Sequence, residues 1–194
     1  MAPTPGHTRP GVAPPPPFVT AVGASVAVWC GVFAAISIWF EATDKFASGP
    51  HAADADALSV VNWYVAAVKL VGVGTAVLAV VEPPSFLRPS VVGVLLWAAF
   101  ATVTTYVAGS LAQAVAMLTG MAGDAERLDL ASAGYVLAFL LAAAGFGLLA
   151  FSYAGRAGLG KREALLGICG APLVLGSILV VLPMLLRATG LLST

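Results

Sequence analysis

Five long apolar runs, separated by short polar breaks, dominate this chain of 194 residues. A helix that crosses the hydrocarbon core of a bilayer needs about 20 mostly apolar residues. The strands of a membrane barrel instead alternate apolar and polar residues over about ten positions, whereas these runs are continuous. We therefore predict an all-α, polytopic transmembrane helix bundle with five spans. The predicted spans are Phe18–Phe40, Val60–Val81, Val91–Met117, Ser132–Tyr153 and Leu165–Leu186.

The composition supports a membrane protein over a soluble one. A soluble domain is about 25% charged, whereas this chain is 9% charged and 60% hydrophobic, with a mean hydropathy of +0.98. So few charges cannot cover that apolar surface in water, which argues against a soluble enzyme. The net charge is zero, so the electrostatic basis for nucleic-acid binding is missing. The expected partners are membrane lipids and a second copy or another membrane protein, with no nucleic acid.

The chain begins with a segment unlike the rest. Residues 1–17 contain seven prolines, and proline fixes φ and lacks a donor N–H, which favours extended polyproline II. We predict a disordered, solvated tail over residues 1–17. The five-helix transmembrane domain then covers residues 18–187, and a short tail covers residues 188–194.

The lysines and arginines predict an orientation, because cytoplasmic loops carry an excess of these residues. The side of the N-terminal tail and of the second and fourth loops carries five of them: Arg9, Arg88, Arg156, Lys161 and Arg162. The opposite side carries three: Lys45, Arg127 and Arg187. We predict a multi-pass protein of the cytoplasmic membrane with its N-terminus in the cytoplasm and its C-terminus outside.

Small residues at a spacing of four mark a packing face on the first helix. Between membrane helices, small side chains allow close backbone approach. The ladder consists of Gly23, Ala27, Gly31 and Ala35. We interpret it as a contact with another helix of the same chain, and homodimerisation through Gly23 and Gly31 is the alternative.

Lys69 is a charged residue near the middle of the second span, where an ammonium costs about 2.5–3.5 kcal/mol on insertion scales. Such a side chain faces the bundle interior and pairs, or it extends to the interface. Asn62 lies seven residues earlier on the same helix face, and Glu41 is the nearest expected countercharge. The third helix adds a polar stripe that we expect to face Lys69: Thr105, Tyr106 and Gln113. We predict one polar cluster, which is either a structural network or a ligand or proton site.

The sequence contains none of the catalytic or metal-binding motifs that we considered. It has no H-E-x-x-H, no G-x-S-x-G, no Walker loop and no C-x-x-C, so we expect no catalytic residue, metal or cofactor. These absences favour a non-enzymatic protein, namely a structural or accessory membrane subunit. The first alternative is a small transporter or channel component that uses Lys69 and the third-helix stripe. The second is a membrane enzyme that acts on a lipid or a quinone.

Single residues scattered over residues 18–160 also resemble the pattern of a known protein family. The first three helices contribute Trp29, Phe33, Trp63, Lys69, Tyr106, Gly109 and Gln113. Gly120 follows, and the fourth helix ends with Gly145, Phe146, Gly147 and Tyr153 before basic residues. In these positions the chain resembles a family of small four-span actinobacterial membrane proteins of unknown activity. The resemblance implies the membrane class and supplies no catalytic residue, and the fifth span lies beyond it.

Overall fold

The computed structural model describes residues 12–48, 52–121 and 129–190, and all regular structure within them is helical. Five helical spans in these ranges are long and apolar enough to cross a membrane, with mean hydropathies of 1.5 to 2.5 over their most apolar stretches. This confirms the predicted all-α, five-span class. The first four are α1 (Pro17–Ala42), α2 (Ala55–Leu78), α3 (Pro89–Leu118) and α4 (Leu130–Ala157). The fifth combines α5 (Lys161–Gly176), a π-helical turn (Ser177–Val181) and α6 (Leu182–Ala188).

The helices begin before the predicted spans because polar residues and prolines start them, whereas α2 ends at Leu78, before the predicted Val81. α2 begins at Ala55, five residues before the predicted start, with Asp54 at its N-cap. α4 begins after Asp129, whose carboxylate accepts a 2.7 Å hydrogen bond from the Ser132 amide and satisfies an otherwise unpaired N–H. Two short 3₁₀ turns, Lys45–Ala47 and Ala52–Asp54, lie between α1 and α2.

The two predicted tails fall largely outside the described residues, which exclude 1–11 and 191–194. Residues 12–16 carry no regular structure, and Pro17 already belongs to α1. Val12 packs against the hydrophobic core. This part of the tail therefore contacts the bundle instead of being a free spacer.

Each helix has a defined set of neighbours. α1 packs on α2 and α4, and α3 packs on α4 and α5. α2 makes a smaller contact with α3 and meets the fifth span at the π-helical turn, where the Tyr64 and Ser177 hydroxyls lie 2.7 Å apart. α3 and α5 run in the same direction along their contact, because Gly167 lies against Val94 and Gly170 lies against Ala98.

The core occupies one half of the bundle. We call this half the Arg156 end, and the other half the Glu41 end. The largest fully buried side chains are all in the half near Arg156: Tyr153, Phe146, Leu96, Leu149 and Val92. Towards the Glu41 end, the second half of α3 and the first half of α4 are mostly exposed. The bundle is therefore tightly packed at one end and open at the other.

Two prolines lie in the fifth span. Pro172 lies inside α5 and Pro183 lies in the first turn of α6. Pro183 has no N–H for the carbonyl four residues earlier, at Leu179. Next to it, the Leu182 amide donates to the Ser177 carbonyl in an i to i+5 bond. The π-helical turn is thus located where proline removes regular α-helical hydrogen bonds.

Candidate functional site

The polar side chains of α1 and α2 meet along one seam because their spacing keeps them on facing sides of two antiparallel helices. On α1, Ser37 and Glu41 are four residues apart. On α2, Ser59, Asn62 and Lys69 are separated by three and seven residues. Spacings of three, four and seven place side chains on one helix face. We call these five side chains the polar seam.

Glu41 forms the outer part of the polar seam. Its Oε2 accepts a 2.6 Å hydrogen bond from the Ser59 hydroxyl, and its Oε1 accepts a 2.7 Å bond from Nδ2 of Asn62. Asn62 also donates to the backbone carbonyl of Ser37 at 2.8 Å. Both carboxylate oxygens of Glu41 are therefore used to hold the start of α2 against the end of α1.

Lys69 forms the inner part of the polar seam. Its Nζ donates to the Ser37 hydroxyl at 2.8 Å and to the Phe33 carbonyl at 3.1 Å. The Phe33 ring also lies near the ammonium, with its centroid 5.8 Å from Nζ, a cation–π distance. Lys69 is half-buried and Ser37 is buried, so the ammonium faces the α1–α2 contact.

Glu41 and Lys69 do not form the direct pair that the sequence suggested. Glu41 accepts from Ser59 and Asn62, and Lys69 donates to Ser37 and Phe33. The two charges are connected through Ser37 and Asn62. The physical reason is distance along the helices, since Lys69 lies two turns beyond Asn62.

Small residues continue the α1–α2 contact towards the Arg156 end. A Cβ on Gly72 would lie 3.1 Å from the Cys30 sulfur, and a Cβ on Gly23 would lie 2.5 Å from Val80 Cγ1. Gly23 thus makes the close intramolecular approach that we expected of the ladder. Gly31, however, has open space around its Cβ position, and Ala35 is exposed.

The four residues of the ladder do not all contact the same neighbour, because a spacing of four does not follow one helix face. Four residues turn about 400° in a helix of 3.6 residues per turn, so each step drifts about 40°. The buried face of α1 instead mixes spacings of three and four, and consists of Val19, Gly23, Val26, Cys30, Ala34 and Ser37.

The third-helix residues lie away from Lys69. Tyr106 and Gln113 line a groove of about 840 Å³ between the second half of α3 and the first half of α4. Thr105 is exposed and is not among the residues that line this groove. The structure therefore brings Lys69, Asn62 and Glu41 together and places the α3 stripe elsewhere.

An aromatic layer lies between the polar seam and this groove. Phe139 of α4 is its centre, with ring centroids 4.8 Å from Trp29, 5.5 Å from Phe33 and 4.7 Å from Tyr106 and Tyr135. The indole N–H of Trp29 is buried without a hydrogen-bond partner among the described residues. The layer lies between Lys69 and the groove, and Tyr106 is the residue of the expected stripe that belongs to it.

Arg156 is a structurally important residue that the sequence analysis used only to predict orientation. Its Nη2 donates to the Ala79 carbonyl at the end of α2 at 2.6 Å, and its Nη1 donates to the Ala13 carbonyl at 2.9 Å. The guanidinium carbon lies 5.5 Å from the centroid of the Tyr153 ring. Its position in the last turn of α4, where a cation favours the helix C-terminus, is the sequence signal that could have identified it.

The described residues bring no three His, Cys, Asp or Glu side chains into a metal-binding group. Both cysteines are free, Cys30 buried and Cys169 exposed. Comparisons with protein-family models, with curated proteins and with solved structures found no match. The resemblance to small actinobacterial membrane proteins therefore stays a prediction.

Proposed function

We propose that this chain is a structural or accessory subunit of a membrane assembly, and not an enzyme or a complete transport pathway. The observation that carries the proposal is that the side chains of the polar seam form hydrogen bonds between α1 and α2. Lys69 and Asn62 donate across the α1–α2 contact, and Glu41 accepts across it. Interhelical hydrogen bonds of this kind hold membrane helices together. Polar groups that hold two helices together have fewer free donors and acceptors for a passing solute.

The proposed location is the cytoplasmic membrane, with the N-terminus in the cytoplasm. Four basic side chains in the described ranges support this orientation at the Arg156 end: Arg88, Arg156, Lys161 and Arg162. The described residues of the Glu41 end carry Lys45 and Arg187. Reporter fusions at Pro14 and at Thr194 test the proposal, because five spans place the termini on opposite sides. Reporters on the same side would mean that the span number or the orientation is wrong.

A small transporter or channel component is the second candidate, and Lys69 favours it. An ammonium has three N–H groups, and two of them donate to the described acceptors Phe33 and Ser37. The remaining N–H can meet an anion or a carbonyl. In this alternative, Lys69 would be the group that contacts the solute.

Purification from native membranes in a mild detergent, followed by native mass spectrometry, separates these functions. We expect a membrane-protein partner at a fixed ratio, retained by both the wild type and Lys69→Met. The transport alternative predicts solute flux in liposomes that Lys69→Met abolishes. A chain that purifies alone and supports such flux would overturn the accessory function, and so would a bound quinone that the protein turns over.

A further inference from the structure

The groove between α3 and α4 has the length of one bilayer leaflet. It extends along α4 from Asp129 to Leu140, which is eleven residues or about 16 Å at 1.5 Å per residue. Half of a hydrocarbon core of about 30 Å is about 15 Å. Tyr106, at the inner end of the groove, lies about 4 Å along the axis from the midpoint of α3. The groove therefore runs from the membrane interface to the middle of the bilayer.

The chemistry of the groove changes along this length. At its mouth, near the end of α3 and the start of α4, lie Asp129, Ser132 and Gln113. Further in, leucines of both helices, such as Leu111 and Leu137, form much of the wall, together with the rings of Tyr106 and Tyr135. Ser110 also lies there, and its hydroxyl donates to the Tyr106 carbonyl of its own helix. A polar mouth at the interface with an apolar channel below it matches an amphiphile with one chain inserted along the helices.

The charge at the mouth selects among amphiphiles. Asp129 is fully exposed, and the Ser132 hydroxyl and amide donate to its carboxylate at 2.6 and 2.7 Å. These bonds hold the pKa of Asp129 below its usual value of 3.8, so the group is negative at neutral pH. The groove lining within the described residues contains no lysine or arginine. The Asp129 carboxylate attracts a cationic group and repels an anionic headgroup. A primary ammonium can in addition donate N–H hydrogen bonds to this carboxylate, which a quaternary ammonium cannot.

We propose that this groove binds a phospholipid with a primary-amine headgroup. One acyl chain lies along the groove from its mouth to Tyr106, and the headgroup ammonium lies at the Asp129 carboxylate. This lipid site is separate from the polar seam, and it does not depend on the proposed accessory function.

Native mass spectrometry of the full chain in nanodiscs tests the site. The discs contain equal amounts of phosphatidylethanolamine, phosphatidylcholine and phosphatidylglycerol with identical acyl chains. We expect phosphatidylethanolamine to be retained about two- to fivefold over each competitor, because its ammonium can form an exposed, charge-assisted hydrogen bond with Asp129 that choline and glycerol headgroups cannot form. Asp129→Asn should reduce this ratio to about one, while α4 keeps its cap because asparagine caps helices as well as aspartate. Asp44→Asn, a change at an exposed acid of the same bundle end, should leave the ratio unchanged.

A second variant tests the acyl-chain part of the site independently of charge. Leu140→Trp places a larger side chain in the groove and should lower the retention of all three lipids without changing their ratio. The thermal melting of each variant shows whether the bundle is intact. An unchanged preference in folded Asp129→Asn, a preference for the anionic lipid, or full retention in folded Leu140→Trp would overturn the proposal.

Discussion

Lys69 shows how a charged side chain becomes compatible with the middle of a span. Its ammonium donates to one hydroxyl and one carbonyl of α1 and lies against the Phe33 ring. These contacts replace part of the hydration that the group loses in the membrane. Glu41 has its own donors on α2, so neither charge relies on the other.

This independence leads to a prediction for Lys69→Met. The change removes two interhelical hydrogen bonds, which average about 0.6 kcal/mol each in a membrane protein, and it also removes the cost of an ammonium in the span. We expect the free energy of unfolding to fall by about 1 kcal/mol or less in detergent micelles, with Lys45→Met as the exposed control. A loss of about 3–5 kcal/mol would instead indicate a directly paired buried charge.

Asp129 leads to a prediction about its pKa and about stability at acidic pH. Because Ser132 lowers its folded pKa, its stabilising contribution is complete above the unfolded value, near 3.8, and is lost as the pH falls through the lower folded value. We expect an NMR titration of the Asp129 carboxyl carbon to give a pKa below 3.8 in wild type and a higher one in Ser132→Ala. Identical midpoints in the two proteins would show that the Ser132 hydroxyl does not stabilise the carboxylate.

At the scale of helices, hydropathy predicted the five spans because a membrane helix must be apolar over most of its length. It placed the start of α2 too late, because Asp54 at the N-cap position and Asp56 in the first turn lower the hydropathy of the segment where the helix starts. It could not predict which helices touch. An apolar face packs equally well against lipid or against another helix.

The contact between α3 and α5 depends on one glycine. A Cβ on Gly167 would lie 2.6 Å from the Val94 carbonyl and 3.0 Å from the Ala98 amide, and it would also meet Trp97 Cβ. Backbone atoms cannot move aside as a flexible side chain can. The two helices must therefore separate to accept even a methyl group.

We expect Gly167→Ala to destabilise the bundle by about 1–3 kcal/mol, the usual cost of overpacking. Gly31→Ala is the matched control, because open space surrounds Gly31 and alanine is the better helix former by about 1 kcal/mol. Melting curves of both variants in one detergent provide the measurement. Equal melting temperatures would mean that α3 and α5 do not approach this closely.

At the scale of the whole molecule, Arg156 joins three separate parts of the chain. It is carried by α4, and its guanidinium donates to the end of α2 and to the segment before α1. Sequence reasoning could not identify these acceptors, because they are backbone carbonyls and have no side-chain signature. The same limit applies to the polar seam, where Lys69 binds the Phe33 carbonyl.

Arg156→Gln should therefore affect more than one helix end. Hydrogen bonds from a charged donor contribute about 1.5–3 kcal/mol each, and solvent at this bundle end reduces that value, so we expect a total loss of about 1–3 kcal/mol. A cysteine placed at Val12 should become more reactive to a water-soluble maleimide in Arg156→Gln. Arg162→Gln, an exposed change at the same end, serves as the control. Unchanged reactivity at Val12 would show that Arg156 does not hold this segment.

The parallel contact of α3 and α5 also has a consequence for biosynthesis. A ribosome delivers the helices in order, and proteins begin to fold from the N-terminus during synthesis. α1 and α2 can pair as soon as both have emerged, and so can α3 and α4, because each pair is adjacent in the chain. α5 instead packs on α3, although α4 lies between them in the chain. A nascent chain halted before residue 161 would leave uncovered the face of α3 that contains Val94 and Ala98. The synthesis of α5 therefore completes the α3 side of the bundle.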